Sequence, residues 1–264
     1  IEKRLNSNKD KNEDGKGEGK PGTWSYFEYD FSNTVFFYRV GCSNSYFGVS
    51  SNFSGAKFTD FANFSGAKFT DFADVWSADF SGAEFTEFVD FSGAEFTGLV
   101  DFSRAKFIKG TDFYWSADFS RAKLVEADFS RAEFTGLVNF SGAKFTDFAN
   151  FSRAIFTWSA DFSRAIFTQD AGFYGAAFIK SVIFSKATFQ TDPIFVNIRR
   201  GKTYKARFSC KTDPENYNFE ASNDSPCIIE TEEQEYNGVK FRIPKGAILF
   251  DPDEPSEQKD DNDS

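Results

Sequence analysis

The chain of 264 residues carries 30 Lys and Arg against 40 Asp and Glu, a net charge of −10, and holds 38 Phe, 9 Tyr and 4 Trp but no His and no Met. Without His, imidazole acid–base catalysis, His metal sites and Ser–His or Cys–His nucleophile pairs are excluded, and the acidic balance disfavours binding to nucleic-acid phosphates. Hydrophobic residues make up 40% of the chain, enough for a core, while no run approaches the roughly 18 consecutive apolar residues of a membrane-spanning helix.

Residues 1–28 begin charged and Gly-rich, IEKRLNSNKDKNEDGKGEGKPG, and read as a flexible polar linker. Because position 1 is Ile, the expectation is a processed terminus or the start of a fragment. With it goes an exported or organelle-lumen location, or a tether to a membrane segment upstream.

From 29 to 195 a repeat dominates. In NFSGAKFTDFANFSGAKFTDF the Phe residues fall at 53, 58, 64 and 69, steps of five and six that alternate; an amphipathic helix needs threes and fours. Followed from Phe31 to Phe195, the register comprises 31 central positions, 28 of them Phe, with Cys42, Val75 and Leu124 in the same slot. A second column lies two residues earlier. From Phe58 to Phe189 it is Ala at 20 of 25 positions, the others being Val89, Val100, Val138, Val182 and Thr111. Large-inward, small-inward and polar-outward positions in this order suit a chain that turns a corner every five residues and stacks each coil on the next.

These units, as in ADFSGAEFTEF at 78–88, resemble the pentapeptide-repeat family in its Phe-centred DFSGAxF form. The resemblance implies an all-β fold: a right-handed quadrilateral β-helix with four repeats per coil. About seven to eight coils at the strand spacing give a rod on the order of 35 Å long. The sixth residues of the longer steps, Phe61, Phe72, Phe88, Leu99, Gly110, Leu137 and Phe148, are expected to bulge at corners. An uncovered end would recruit another chain by stacking or dimerisation.

Residues 196–250 lose the Phe period and show short alternating runs, TYKARFSC and NGVKFRIPKGAILF, which read as a small β cap or appended domain. Cys210 and Cys227 lie within it, 17 residues apart, either as a disulfide or as two unrelated thiols. Residues 251–264 form an acidic tail expected to be disordered.

Candidate chemistry is sparse. Recurring Asp and Glu on neighbouring coils raise the prospect of acid–base pairs or a calcium site, but coil geometry alone explains their period. No catalytic constellation, cofactor motif or metal motif interrupts the pattern. Trp76, Trp115 and Trp158, in VWSADF, YWSADF and TWSADF, stand where Ser, Thr or Gly is usual, and read either as partner-binding anchors or as covers for corner bulges. Family resemblance also raises an acidic rod that mimics DNA and inhibits gyrase. Residues 45–195, however, hold 18 acidic and 13 basic side chains, a mixed surface. The expected function is therefore a non-enzymatic scaffold whose partners are proteins, as a subunit of a larger assembly or a homodimer through a β-helix end.

Overall fold

The computed structural model describes residues 25–70, 76–110 and 114–254. The linker reading of residues 1–24 and the tail reading of residues 255–264 fall outside them, as do Phe72, Val75, Thr111 and Phe113.

Each side of the coil is built the same way. In Asp79-Phe80-Ser81-Gly82-Ala83 the Asp79 carboxylate accepts a hydrogen bond from the Ser81 N–H at 2.8 Å, and the Ala83 N–H returns to the Phe80 carbonyl at 3.0 Å. Closing that turn needs a left-handed residue, Gly82 with φ +63°. The chain then extends for two residues, Glu84–Phe85, directs Phe85 inward and bends again. Backbone bonds that a two-residue strand cannot make internally are made to the coils above and below, all parallel: Glu84 pairs with Lys57 on one side and Lys106 on the other.

Four faces result, named here in chain order. Along the first, Phe53, Phe80, Phe102 and Phe129 stack at 4.8 to 5.0 Å. Along the second run Phe58, Phe85, Phe107 and Phe134, at 4.7 to 5.2 Å. The third holds Phe64, Phe91, Phe119 and Phe140, and the fourth Phe69, Phe96 and then Leu124. Across the interior the ladders meet edge to face, as Phe80 does with Phe91 at 5.4 Å and 81°. Stacking along the axis and T-shaped contact across it are the two arrangements favoured by ring quadrupoles. Ala56, Ala67, Ala83 and Ala94 are fully buried beside the rings, where a larger side chain has no volume to occupy.

Partners on successive coils are usually 22 residues apart, as Tyr29 is from Ser51. Twice the spacing lengthens: Asn52 pairs with Asp79, and Lys106 with Glu133, each 27 apart. Phe53 stacks directly on Phe80, and Phe91 directly on Phe119. The ladders therefore skip one unit between Phe69 and Phe80 and one between Phe107 and Phe119, so the register of 31 central positions is not uninterrupted.

The five- and six-residue steps fall on different corners. Phe-Ser-Gly-Ala turns make the first–second and third–fourth corners; the longer steps make the second–third and fourth–first corners, where Phe61 stacks on Phe88 at 5.7 Å. At the fourth–first corner two strands, Glu95–Asp101 and Lys123–Asp128, run continuously around the bend and join both faces into one 12-stranded sheet.

Beyond Phe195 the ladders continue with Phe208 on the second face and Phe219 on the third, separated by longer excursions. Arg207–Ser209 extends the second sheet in parallel, and Ile248–Phe250 adds one further strand to it. An antiparallel hairpin, Thr231–Tyr236 with Val239–Pro244, buries Phe241 and Ile243 in the same core. The C-terminal region thus shares sheets and core with the coils.

Cys210 and Cys227 are free thiols in different settings. The Cys227 thiol points to the Gln190 carbonyl at 3.6 Å beside the fourth face, whereas Cys210 follows the second-face strand Arg207–Ser209 near Tyr236 and Asp251. Burial raises both thiols above their ordinary range, with Asp251 adding to the effect at Cys210 and Asp192 at Cys227. The disulfide alternative is not realised.

Candidate interaction surface

The outward side chains sort by face. Positions before the ring on the first face are Asn52, Asp79, Asp101, Asp128 and Asn150, and on the third Asn63, Asp90, Asp118, Asn139 and Asp161. Each of these accepts the N–H of the Ser two residues on, at 2.6 to 3.1 Å, so the acidic ladders are part of the corner turns. Burial, reinforced by Asp128 and Asp79 on adjoining coils, raises the Asp101 carboxyl despite its Ser103 hydrogen bonds; burial and Asp90 raise Asp118 likewise. On the second face the same position alternates in sign through Lys57, Glu84, Lys106 and Glu133, and on the fourth it runs Lys68, Glu95, Lys123 and Lys144. Lys57 pairs with Glu84 at 3.1 Å, and Glu95 lies between Lys123 at 2.7 Å and Lys68 at 3.6 Å, with the Lys123 hydrogen bond lowering the Glu95 carboxyl. Acidic residues do align, but on two opposite faces and beside Arg104, Arg131, Arg121 and Arg164 at the turns that follow them. Among the described residues no three His, Cys, Asp or Glu gather as a metal-binding group.

The second–third corner carries an exposed aromatic group. Trp115 and Trp158 both lie there, two coils apart, 40% and 39% exposed, and Tyr114 is 65% exposed. The Tyr114 and Trp158 rings approach to 6.3 Å, and the Lys109 ammonium lies 4.9 Å from the first and 5.2 Å from the second. Cation–π attraction of this kind holds two rings on one side of a shared charge. Trp76 is elsewhere: it pairs with Leu99 at the fourth–first corner, diagonally opposite, and its side chain lies outside the described residues.

The backbone fixes the cluster. Lys109 N–H donates to Thr135 Oγ1 at 2.8 Å, and Leu137 N–H donates to the Tyr114 carbonyl at 2.8 Å, so Lys109 and Tyr114 are both tied to the coil above. Gly136 permits the approach: a Cβ there would stand 2.7 Å from the Tyr114 carbonyl oxygen and 3.0 Å from Lys109 Cβ. Sequence reasoning found the two tryptophans but missed Lys109, Tyr114 and Gly136. The available signal was the pair of six-residue steps at Phe107, Phe113 and Phe119, where alternation fails.

Short parallel strands on four faces, a core of aromatic ladders and corners closed by left-handed turns define a quadrilateral β-helix, a solenoid of repeated coils. A family model described as pentapeptide repeats (9 copies) matches residues 53–106, 76–114, 108–155 and 151–199, together more than half of the chain. The chain belongs to the pentapeptide-repeat family. No curated protein matches it. Among solved structures it is similar to HetL, a pentapeptide repeat protein involved in heterocyst differentiation regulation from the cyanobacterium Nostoc sp. strain PCC 7120, at 15% identity over 65% of this chain and 89% of that one, with a TM-score of 0.15. No helix among the described residues is long and apolar enough to cross a membrane.

Proposed function

We propose that the protein is a non-enzymatic scaffold: residues 29–195 form the rigid rod, residues 196–250 cover its end, and the second–third corner binds a protein partner. The observation that carries this reading is the exposed group Tyr114, Trp115 and Trp158 at one corner, where the Tyr114 and Trp158 rings share the Lys109 ammonium. Aromatic anchors fixed on a rigid element bind with little loss of side-chain freedom, and Trp and Tyr dominate binding hot spots. The division of the acidic ladders between opposite faces, their use in turns and the Lys–Glu pairs on the other two faces argue against the alternative of a DNA-mimic inhibitor.

The test is affinity isolation from the source organism with the wild-type chain and with a Trp115→Ala/Trp158→Ala variant, scored by quantitative mass spectrometry. A stoichiometric protein retained by the wild type and lost from the variant is the expected result. Equal retention by both would remove the corner from the interface, and stoichiometric capture of a DNA-binding enzyme by both would favour the mimic.

A further inference from the structure

Positive charge concentrates at one place on this acidic chain. Residues 196–211 hold six Lys and Arg and no Asp or Glu, against a net charge of −10 overall. Most of the six belong to an antiparallel hairpin, Val196–Arg199 with Lys202–Lys205. The hairpin is inserted between Phe195, which continues the first-face ladder, and Phe208, which continues the second, so it leaves the rod at the first–second corner. Arg200 and Gly201, at φ +48° and +75°, close it with the two left-handed residues that a tight hairpin turn needs. Two cation–π contacts of opposite sense fasten it down. The Arg199 guanidinium lies 4.9 Å from the Tyr174 ring of the rod, and the rod's Arg153 lies 4.4 Å from the hairpin's Tyr204 ring. Because side chains alternate across a strand, Asn197 and Tyr204 share the side toward the rod, while Ile198, Thr203 and Lys205 share the outward side. Ile198 is 68% exposed, and Arg200 and Lys205 are exposed beside it.

We infer that this hairpin binds an acidic segment of a protein partner, with carboxylates at Arg200 and Lys205 and an apolar side chain on Ile198. Three observations select that ligand. The cations stand on a ribbon anchored to the rod, so their spacing is set before binding and little freedom is lost. Both tyrosines at the hairpin are already covered by guanidinium groups, with Tyr174 only 3% exposed, which leaves no ring there for nucleic-acid bases to stack on. Further down the rod the first face carries Asp79, Asp101 and Asp128 on successive coils, which repel a long phosphate chain running from the hairpin along that corner; a short carboxylate segment meets the hairpin alone. Lys211, at the end of the same basic run, shows the chemistry within the chain: it holds Asp251 at 2.8 Å and Asp253 at 3.7 Å. Lys and Arg on a ribbon also discourage strand pairing with other chains, but that role does not call for an exposed Ile in the middle of the outward side.

The inference goes beyond the reading of the second–third corner and is tested apart from it. The probe is a short fluorescein-labelled peptide of Glu and Asp interspersed with Val, titrated with the 264-residue chain and followed by fluorescence anisotropy. Saturable binding with a Kd at or below about 100 µM is expected at low ionic strength, weakening by about tenfold or more as salt rises to about 0.3 M. Arg200→Gln/Lys205→Gln is expected to weaken binding by about tenfold, Arg200→Glu/Lys205→Glu to abolish it, and Ile198→Ser to weaken it by about threefold. All three variants should keep the wild-type melting temperature, because the side chains changed are exposed. Trp115→Ala/Trp158→Ala is expected to bind the peptide as the wild type does, which separates the hairpin from the corner. No saturable binding by the wild type, equal binding by the charge-reversed variant, or tighter binding of a single-stranded oligonucleotide or of phosphatidylserine vesicles than of the peptide would each overturn the inference. Binding that emerges only in Glu257→Gln/Asp260→Asn/Asp261→Asn/Asp263→Asn would also overturn it, by assigning the hairpin to this chain's own acidic residues.

Discussion

Replacing Phe129 by Ala probes what holds the coils together. Its ring is fully buried, stacked on Phe102 and on Phe151 at 5.0 Å each, and meets Phe119 and Phe140 edge to face at 5.3 Å. Transfer of the ring from water contributes about 2–3 kcal/mol, and aromatic pairs add about 0.5–1.5 kcal/mol each, partly overlapping with that burial. Alanine would also leave a void between two rings fixed by their own ladders, which limits collapse. The cost therefore falls toward the upper part of the range for such truncations, about 4 kcal/mol. For a chain of this size that corresponds to a fall in melting temperature of roughly 8–16 °C. The assay is thermal and urea unfolding followed by circular dichroism, with two comparisons. Phe129→Leu should cost about 1.5 kcal/mol, since Leu124 already occupies a ladder position with 1% exposure. Phe61→Ala, at a corner and only partly buried, should cost less than about 1 kcal/mol. A Phe129→Ala cost no larger than that of Phe61→Ala would refute the claim that interior ladders dominate the stability.

Three further outcomes follow. Asp101 and Asp118 have folded pKa values above those of the unfolded chain, so the native state takes up protons first as pH falls; their contribution to stability rises from neutral pH down toward the ordinary carboxylate value. Asp101→Asn should raise the melting temperature at pH 7 and flatten that slope relative to wild type, whereas an unchanged slope would contradict the assignment; Glu95, lowered by Lys123, acts in the opposite sense in both proteins and cancels in the comparison. Arg131 sits at φ +59°, so Arg131→Gly should stabilise by about 0.5–1 kcal/mol and Arg131→Val should destabilise by about 1–2 kcal/mol, read as shifts in the urea midpoint. Gly136→Ala should displace Tyr114 and Lys109, shifting the tryptophan emission and weakening partner capture while leaving the far-ultraviolet spectrum intact; unaltered emission would show that the cluster does not depend on that close approach.

The coil was legible because its inward columns admit so little variation. Phe and Ala at fixed offsets report a tight, repeated interior directly, and the longer steps marked two of the corners. What escaped notice was local backbone geometry. Nothing in the side chains of Arg104, Arg121, Arg131, Arg153 and Arg164 marks them as equivalent to Gly55, Gly66 and Gly82, yet all share a left-handed turn with φ between +56° and +63°. A side chain's type alone does not disclose a positive φ that non-Gly residues can also adopt. The two skipped units were hidden for a related reason: Val75 and Phe113 match the ladder in chemistry, and only the pairing of Asn52 with Asp79 and of Lys106 with Glu133 shows that the ladders pass over a unit in each interval. Lys109 and Tyr114 lie on either side of the second skipped unit, so the cluster's members could not be gathered from the period. The same holds for the charged faces, since Lys57 finds Glu84 across 27 residues, an interval that contains the first skipped unit.

The corner's role is tested most directly by site-specific photo-crosslinking in cells of the source organism, with the photoreactive amino acid placed at position 158 in one variant and at Glu126, near the opposite corner, in another. The account predicts a discrete crosslink to a partner protein from position 158 and none from position 126. Equal crosslinking from both, or a partner captured from position 126 alone, would contradict it.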